Sequence, residues 1–342
     1  MRLCPACRQE YPDGSNFCPH DGQRLIDGVE TPSPEQDDLL NSVLDGRYRI
    51  ESRLGRGGMG VVYAARHVII DKPVAVKVLR REYSADPSQS ERFLREARAA
   101  SRIGHPNIVD VTDFGTLADG QIYLVMELLC GATLSQELRR QGALPVPRVI
   151  DLTLQICQAL NAAHLKGIVH RDLKPENIFV VNPRSGSGNT GELENAGRRT
   201  DFIKLLDFGI AKISWDPGGR RLTRVGSIFG TPQYMSPEQA SGRDADHRGD
   251  LYALGCILYE VLTGEVPFLA DPFMGTLTKH LFEAPVAPRQ IRPDLDLPAP
   301  LETVILRALQ KNPDERYQSA EEMGAAVEEC GRILGTLRRD AA

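Results

Sequence analysis

The chain has 342 residues, 25% charged and 41% hydrophobic, with a formal net charge of -5. This is the balance of an ordinary globular protein with room for two or more domains, and its acidity argues against a nucleic-acid partner. No run approaches the ~18 apolar residues of a membrane span, and the opening Met1-Arg-Leu-Cys-Pro5 lacks a leader's apolar stretch, so a cytoplasmic chain without a membrane segment is expected.

Three of the seven cysteines, Cys4, Cys7 and Cys18, crowd the first 18 residues. Cys4-Pro-Ala-Cys7 is a C-x-x-C knuckle. Cys18-Pro-His-Asp21 repeats its gap, with Asp21 in the place of the last cysteine and Gly22 after it. Paired knuckles read as a zinc ribbon. Position favours Asp21 as fourth Zn²⁺ ligand and chemistry favours His20; the rival reading is a metal-free ribbon or a thiol cluster. So short a segment has too little core to fold unaided, so its folding implies a metal. Residues 1–27 are read as such a module, suited to docking a protein partner. Cys130, Cys157, Cys256 and Cys330 are scattered and read as small core hydrophobes.

Residues 28–45 contain Thr31-Pro-Ser-Pro-Glu-Gln-Asp-Asp38 and read as a linker. A globular domain is expected over residues 46–337. Its one low-complexity insert, about 182–200, holds Ser185-Gly-Ser-Gly-Asn-Thr-Gly191 and has little to bury, so a floppy loop is expected there.

The globular part opens with predicted strands over Tyr48–Leu54 and Gly60–Ala65, joined by Gly55-Arg-Gly57-Gly58-Met-Gly60. Glycines let a backbone approach a polyphosphate with its amides facing it. A dinucleotide fingerprint would be followed by a helix, but Val61, Val62 and Tyr63 favour a strand. The next strand, Val74–Leu79, carries Lys77 within an apolar alternation. A helix predicted from about Ser88 to Ile103 turns Phe93, Ala97 and Ala100 inward, with Glu96 beside that stripe. Such a carboxylate wants a cation, and Lys77 is the obvious one.

These segments resemble the small lobe of a eukaryotic-type protein kinase, and the further motifs follow in order. His170-Arg171-Asp172-Leu173-Lys174-Pro175-Glu176-Asn177 matches the catalytic loop, and Asp207-Phe208-Gly209 the metal-binding motif. Ser236-Pro237-Glu238 stands where the family has Ala-Pro-Glu. Asp250 opens an apolar helix to Leu262, and Arg316 follows Asn312-Pro313 where the family has an arginine that pairs with the residue Glu238 matches. The resemblance covers residues 48 to about 334, and the wording of Gly57–Gly60 and Gly230–Gln239 is similar to bacterial serine/threonine kinases.

The resemblance implies an α+β, two-lobed fold: a small β-rich lobe to about Leu128, a larger helical lobe, and ATP with Mg²⁺ or Mn²⁺ between them. It implies Asp172 as base, Lys174 neutralising the transferred phosphate, Lys77 on the α- and β-phosphates and Glu96 holding Lys77. Asn177 and Asp207 are the implied metal ligands. The nucleotide pocket is implied at Leu54, Gly55, Arg56, Gly57, Gly58, Met59, Gly60, Val61, Val62, Ala75, Lys77, Met126, Glu127 and Leu128, the last three as the hinge. Substrates would be proteins bearing Ser or Thr. Loss of one of these positions would suggest a scaffold without activity, and none is lost. Autophosphorylation of the loop from Asp207 to Glu238 is expected at Thr223, flanked by Arg220, Arg221 and Arg224, or at Ser227. Arg171 would be the counter-charge, and Thr231 is read as structural.

Overall fold

The computed structural model describes short strands at 2–3, 10–11 and 26–27 and the segments 39–57, 60–84, 97–98, 101–181, 201–208, 231–271 and 273–340. Cys4, Cys7, Cys18, Asp21, Gly58, Met59, Glu96, the 182–200 insert, Thr223 and Ser227 lie outside the described residues.

The first three strands, β1 (Arg2–Leu3), β2 (Glu10–Tyr11) and β3 (Ile26–Asp27), form an antiparallel sheet in the order β2-β1-β3. A six-stranded antiparallel sheet builds the small lobe. Its strands are β4 (Val43–Leu44), β5 (Tyr48–Arg56), β6 (Gly60–His67), β7 (Pro73–Leu79), β8 (Val111–Thr116) and β9 (Ile122–Glu127), in the order β4-β5-β6-β7-β9-β8. Both β5 and β6 run two residues beyond the expected ends, because the hairpin stays paired from Tyr48↔His67 to Arg56↔Val61.

The period-2 pleat sorts β7 onto two faces. Val74, Val76 and Val78 pack with Tyr48, Ile50, Tyr63 and Tyr123. Lys77 alternates with them and so faces the other way. Cross-strand register sets it opposite Val62 and Leu124, and sets Ala75 opposite Met126. The sheet therefore collects Val62, Ala75, Lys77 and Met126 on one face.

After a short helix α1 (Arg81–Ser84), the larger lobe is mainly helical. Helix α2 (Leu134–Gln141) starts at a reciprocal cap: Thr133 Oγ1 accepts from the Gln136 amide while the Gln136 side chain accepts from the Thr133 amide. Helix α3 (Val146–His164) buries an apolar stripe that includes Val149, Ile156 and Leu160. Helices α4 (Pro237–Ala240) and α5 (His247–Thr263) follow. Helix α5 is buried on nearly every side, as a helix apolar all round must be. At Gly255 a Cβ would sit 2.8 Å from Ala308 Cβ, so glycine permits the close approach of α8 (Ala299–Ala308), which follows α6 (Phe273–Phe282) and α7 (Pro288–Ile291). The last helix is α9 (Ala320–Asp340).

The larger lobe also holds a three-stranded antiparallel sheet: β10 (Gly131–Thr133), β11 (Ile178–Val181) and β12 (Phe202–Leu205). Val181 pairs with Phe202, so the 182–200 insert leaves and re-enters at one end of the β11–β12 hairpin. At the other end Ile178 pairs with Leu205.

Arg316 is fully buried, and all five of its N–H donors are used. It forks onto Glu238 with two contacts of 2.8 Å and donates to the carbonyls of Gln310, Arg248 and Lys311. Burial by itself would push the Glu238 carboxyl up, but its hydrogen bonds to Arg316 hold it below the usual range. Arg316→Met would leave a buried carboxylate unpaired and should cost about 3–5 kcal/mol in chemical denaturation. The pair's contribution is present above the unfolded glutamate range and is lost as pH falls through the lowered folded value. The gap between wild type and variant should therefore narrow toward low pH.

Candidate active site

A buried carboxylate positions the catalytic loop. Asp250 is 1% exposed near the start of α5. Its Oδ2 accepts from the His170 amide and from His164 Nε2, each at 2.8 Å, and its Oδ1 accepts from the Arg171 amide at 2.8 Å. Burial pushes this carboxyl up, yet His164 and His170 hold it below the usual range, so it stays an anion accepting from three donors. The pinned backbone turns sharply: Arg171 has φ 63°, a left-handed conformation rare for a non-glycine residue. Gln239 braces the turn from outside, donating to the Arg171 carbonyl at 3.0 Å.

His170 is itself buried. Its Nε2 meets the Leu206 carbonyl at 2.9 Å, which requires the proton on Nε2, and its ring lies 4.7 Å from that of Phe208. The Leu206 amide in turn donates to the Asn177 carbonyl at 2.9 Å. The β11–β12 register and this bond bring Asn177 and Asp207 together across thirty positions of sequence. Asp207 also has a left-handed φ of 54°.

The charged groups then fall into two pairs. Lys77 Nζ is 2.7 Å from Asp207 Oδ2, and Lys174 Nζ is 2.8 Å from Asp172 Oδ2. Burial would raise the Asp207 carboxyl; Lys77 above all, with His170 and Lys174, holds it below its ordinary value. Asn177 Nδ2 donates to the Asp172 carbonyl at 2.8 Å and to Asp172 Oδ2 at 3.3 Å. That leaves the Asn177 amide oxygen as a neutral hard ligand near the Asp207 carboxylate, a donor set that fits a hard divalent cation. Both side-chain contacts of Asp172 fall on Oδ2, and Oδ1 has no partner among the described residues. Asp172, Lys174, Thr231, Tyr234 and Met235 line one small cleft.

Of the expected nucleotide residues, Val62, Ala75, Lys77 and Met126 share the sheet face described above, whereas Val61, opposite Val78, packs on the valine face and not with Lys77. Leu54 is 54% exposed beside the irregularity in β5 between Arg53 and Gly55. Gly57 donates to the Gly60 carbonyl at 2.8 Å. At Gly60 a Cβ would fall 2.2 Å from the Val78 carbonyl oxygen, whereas at Gly55 it would meet nothing within 4 Å. Glu127 is already engaged. Its amide donates to Asp110, and its carboxylate accepts from the Asp110 amide and from Lys204. Lys77 is therefore seen with Asp207, while its expected contact with Glu96 lies outside the described residues. The anchoring roles of Asp250 and His164 were not anticipated. The one signal was a carboxylate heading an apolar helix, which must find donors.

The chain belongs to the protein kinase family: residues 48–326 match the family model described as protein kinase domain. It is 45% identical over 314 residues to serine/threonine-protein kinase pkn3 of Myxococcus xanthus, covering 90% of this chain and 55% of that one. It is 41% identical over 285 residues to serine/threonine-protein kinase PknB of Mycobacterium leprae, covering 82% and 42%. The chain thus spans about half the length of the curated relatives it matches. The crystal structure of the Mycobacterium tuberculosis PknI kinase domain superposes with a TM-score of 0.64 at 29% identity, covering 85% of this chain and 98% of that one.

The two glycines differ in what surrounds them. Gly60→Ala should lower the thermal midpoint by roughly 5 °C, because backbone must shift, while Gly55→Ala should leave it nearly unchanged. Differential scanning fluorimetry of the two variants checks this.

Proposed function

We propose that this chain transfers the γ-phosphate of ATP to serine and threonine hydroxyls of proteins. The observation that carries the reading is the meeting of two bonded groups, Asp172 with Lys174 and Asn177 and Asp207 with Lys77, joined where the Leu206 amide donates to the Asn177 carbonyl. Phosphoryl transfer asks a protein mainly for positioning and charge neutralisation, and this is the set that provides both.

Asp172 Oδ1 takes the hydrogen bond of the incoming hydroxyl, aims the oxygen and receives its proton. Lys174, beside Asp172, neutralises charge on the transferred group. Lys77 holds the α- and β-phosphate oxygens, with Glu96 as its second partner, while Gly55 to Val62 cover the phosphates and Met126 to Leu128 border the base. Asp207 and the Asn177 amide oxygen hold Mg²⁺ or Mn²⁺. When bound, the cation neutralises phosphate charge and fixes the phosphoryl group for in-line attack. A scaffold without activity is not favoured, since none of the chemical positions is lost. ATP as co-substrate fits a cytoplasmic domain.

The reading extends to control. The Arg171 guanidinium is exposed and has no ion-pair partner among the described residues, as expected of a counter-charge for a phosphorylated Thr223 or Ser227. Residues 1–27 are read as a zinc module that docks a protein partner. In favour of this, the β1 pairings set Leu3 opposite both Glu10 and Ile26, so the stretch holding Cys4 and Cys7 leaves and re-enters at the end of the sheet where the stretch holding Cys18 and Asp21 returns.

Incubation of purified protein with ATP, Mg²⁺ and myelin basic protein should phosphorylate the acceptor, and also Thr223 or Ser227 of the chain itself. Asp172→Asn and Lys77→Met should lose both modifications while unfolding like wild type. Incorporation persisting in both variants would refute the assignment. Separately, elemental analysis should give about one zinc per chain, lowered in Cys7→Ser without loss of phosphate transfer. Protein purified gently and free of zinc would refute the module.

A further inference from the structure

Helix α6 carries a buried histidine that the catalytic arrangement does not use. His280 is 0% exposed, and Phe268 packs against its ring at 4.9 Å. Its Nδ1 lies 2.9 Å from the hydroxyl of Tyr252, also fully buried, on α5. That hydroxyl is 3.5 Å from Lys311 Nζ, which also donates to the Lys279 carbonyl and sits 3.9 Å over the Phe268 ring. An ammonium has only protons to give, so the Tyr252 oxygen accepts from Lys311 and its own O–H points at His280 Nδ1. The imidazole proton is then fixed on Nε2. Burial first, and the Lys311 charge second, keep the ring neutral by pushing its pKa down to about 3.

The end of this relay is unfinished. His280 Nε2 faces the backbone of Gln233 without closing a hydrogen bond of good geometry, and it has no partner among the described residues. The side-chain oxygen Oε1 of Gln233 is likewise buried and without a partner among them. One orphan is a donor by the logic of the relay and the other is an acceptor. Two buried, unpaired and complementary groups on packed elements are costly as they stand, and a bond between them would satisfy both. Gln233 belongs to the 3₁₀ turn Pro232–Tyr234, whose neighbours Thr231, Tyr234 and Met235 line the cleft with Asp172 and Lys174. The far end of this stretch is already fixed by the Arg316–Glu238 pair, and Arg316 lies 4.9 Å over the same Tyr252 ring.

We propose that His280 is a positioning residue for the acceptor protein: its Nε2–H bonds Gln233 when an acceptor settles in the cleft, locking the 231–235 turn. Lys311 and Tyr252 hold the imidazole in the donating tautomer. The inference rests on the kinase reading and adds to it a residue acting on the acceptor rather than on ATP.

The test is steady-state kinetics with myelin basic protein as acceptor, measured alongside ATP hydrolysis without acceptor and the thermal midpoint. His280→Leu should raise the acceptor KM roughly fivefold, the worth of one hydrogen bond, with the KM for ATP unmoved. His280→Gln, which keeps a donor, should recover most of that loss. Gln233→Met should match His280→Leu, and the double variant should be no worse than either single one. If His280→Leu does not fold, His280→Gln and Gln233→Met still decide, since the inference requires recovery in the first and the acceptor-specific loss in the second. An unchanged acceptor KM in folded variants, or equal losses in acceptor and ATP steps, overturns the proposal. Absence of phosphate transfer in the wild type would instead overturn the kinase reading.

Discussion

The arrangement of the site depends on one anion, the Asp250 carboxylate, buried where the apolar helix α5 meets the catalytic loop. A carboxylate there must be met by donors, and the donors are the amides of His170 and Arg171 together with His164 Nε2. Satisfying it bends the chain through the left-handed Arg171 and presents Asp172 to the cleft. His170 then carries the constraint onward to the Leu206 carbonyl, and Leu206 to Asn177. One buried charge thus sets the relation between the Asp172 loop and the Asp207 turn, and no flexible surface group intervenes.

The second feature is a balance of opposite charges poised for exchange. Lys77 is paired with Asp207, and Lys174 with Asp172. In the proposed reaction each cation acquires a phosphate partner and each carboxylate a metal or a hydroxyl. Each group is thereby held near its working position before substrates arrive, which reduces the reorganisation left to the chemical step. The sheet contributes by register alone: alternation along β7 puts Lys77 opposite to the valine face, and pairing with β9 brings Met126 beside Ala75.

Much of this was legible in the sequence, and the residues that were not share a cause. The strand carrying Lys77, the glycine turn and the loop motifs were readable because alternation, glycine spacing and motif order are local signals. The pairing of Glu238 with Arg316 came from the resemblance, and the geometry bears it out in a bidentate contact at full burial. From the sequence, Asp250 opens α5, because the apolar run follows it. The helix in fact starts at His247, after Asp246 caps the Arg248 amide, because its first turn is polar. The work of Asp250 left little mark for a different reason: two of its three partners are backbone amides 79 and 80 residues away, and backbone groups leave no mark in a sequence. The Glu127–Lys204 contact and the orphan pair at His280 and Gln233 are of the same long-range kind.

The reaction proposed for this constellation is movement of phosphate from ATP to aliphatic hydroxyls. The most direct measurement is phosphoamino-acid analysis of the chain and of a generic acceptor protein after incubation with γ-labelled ATP and Mg²⁺. Label is expected in phosphoserine and phosphothreonine, dependent on the divalent cation. Protein that binds ATP and Mg²⁺ yet leaves both hydroxyl types unlabelled, or that labels tyrosine alone, would contradict it.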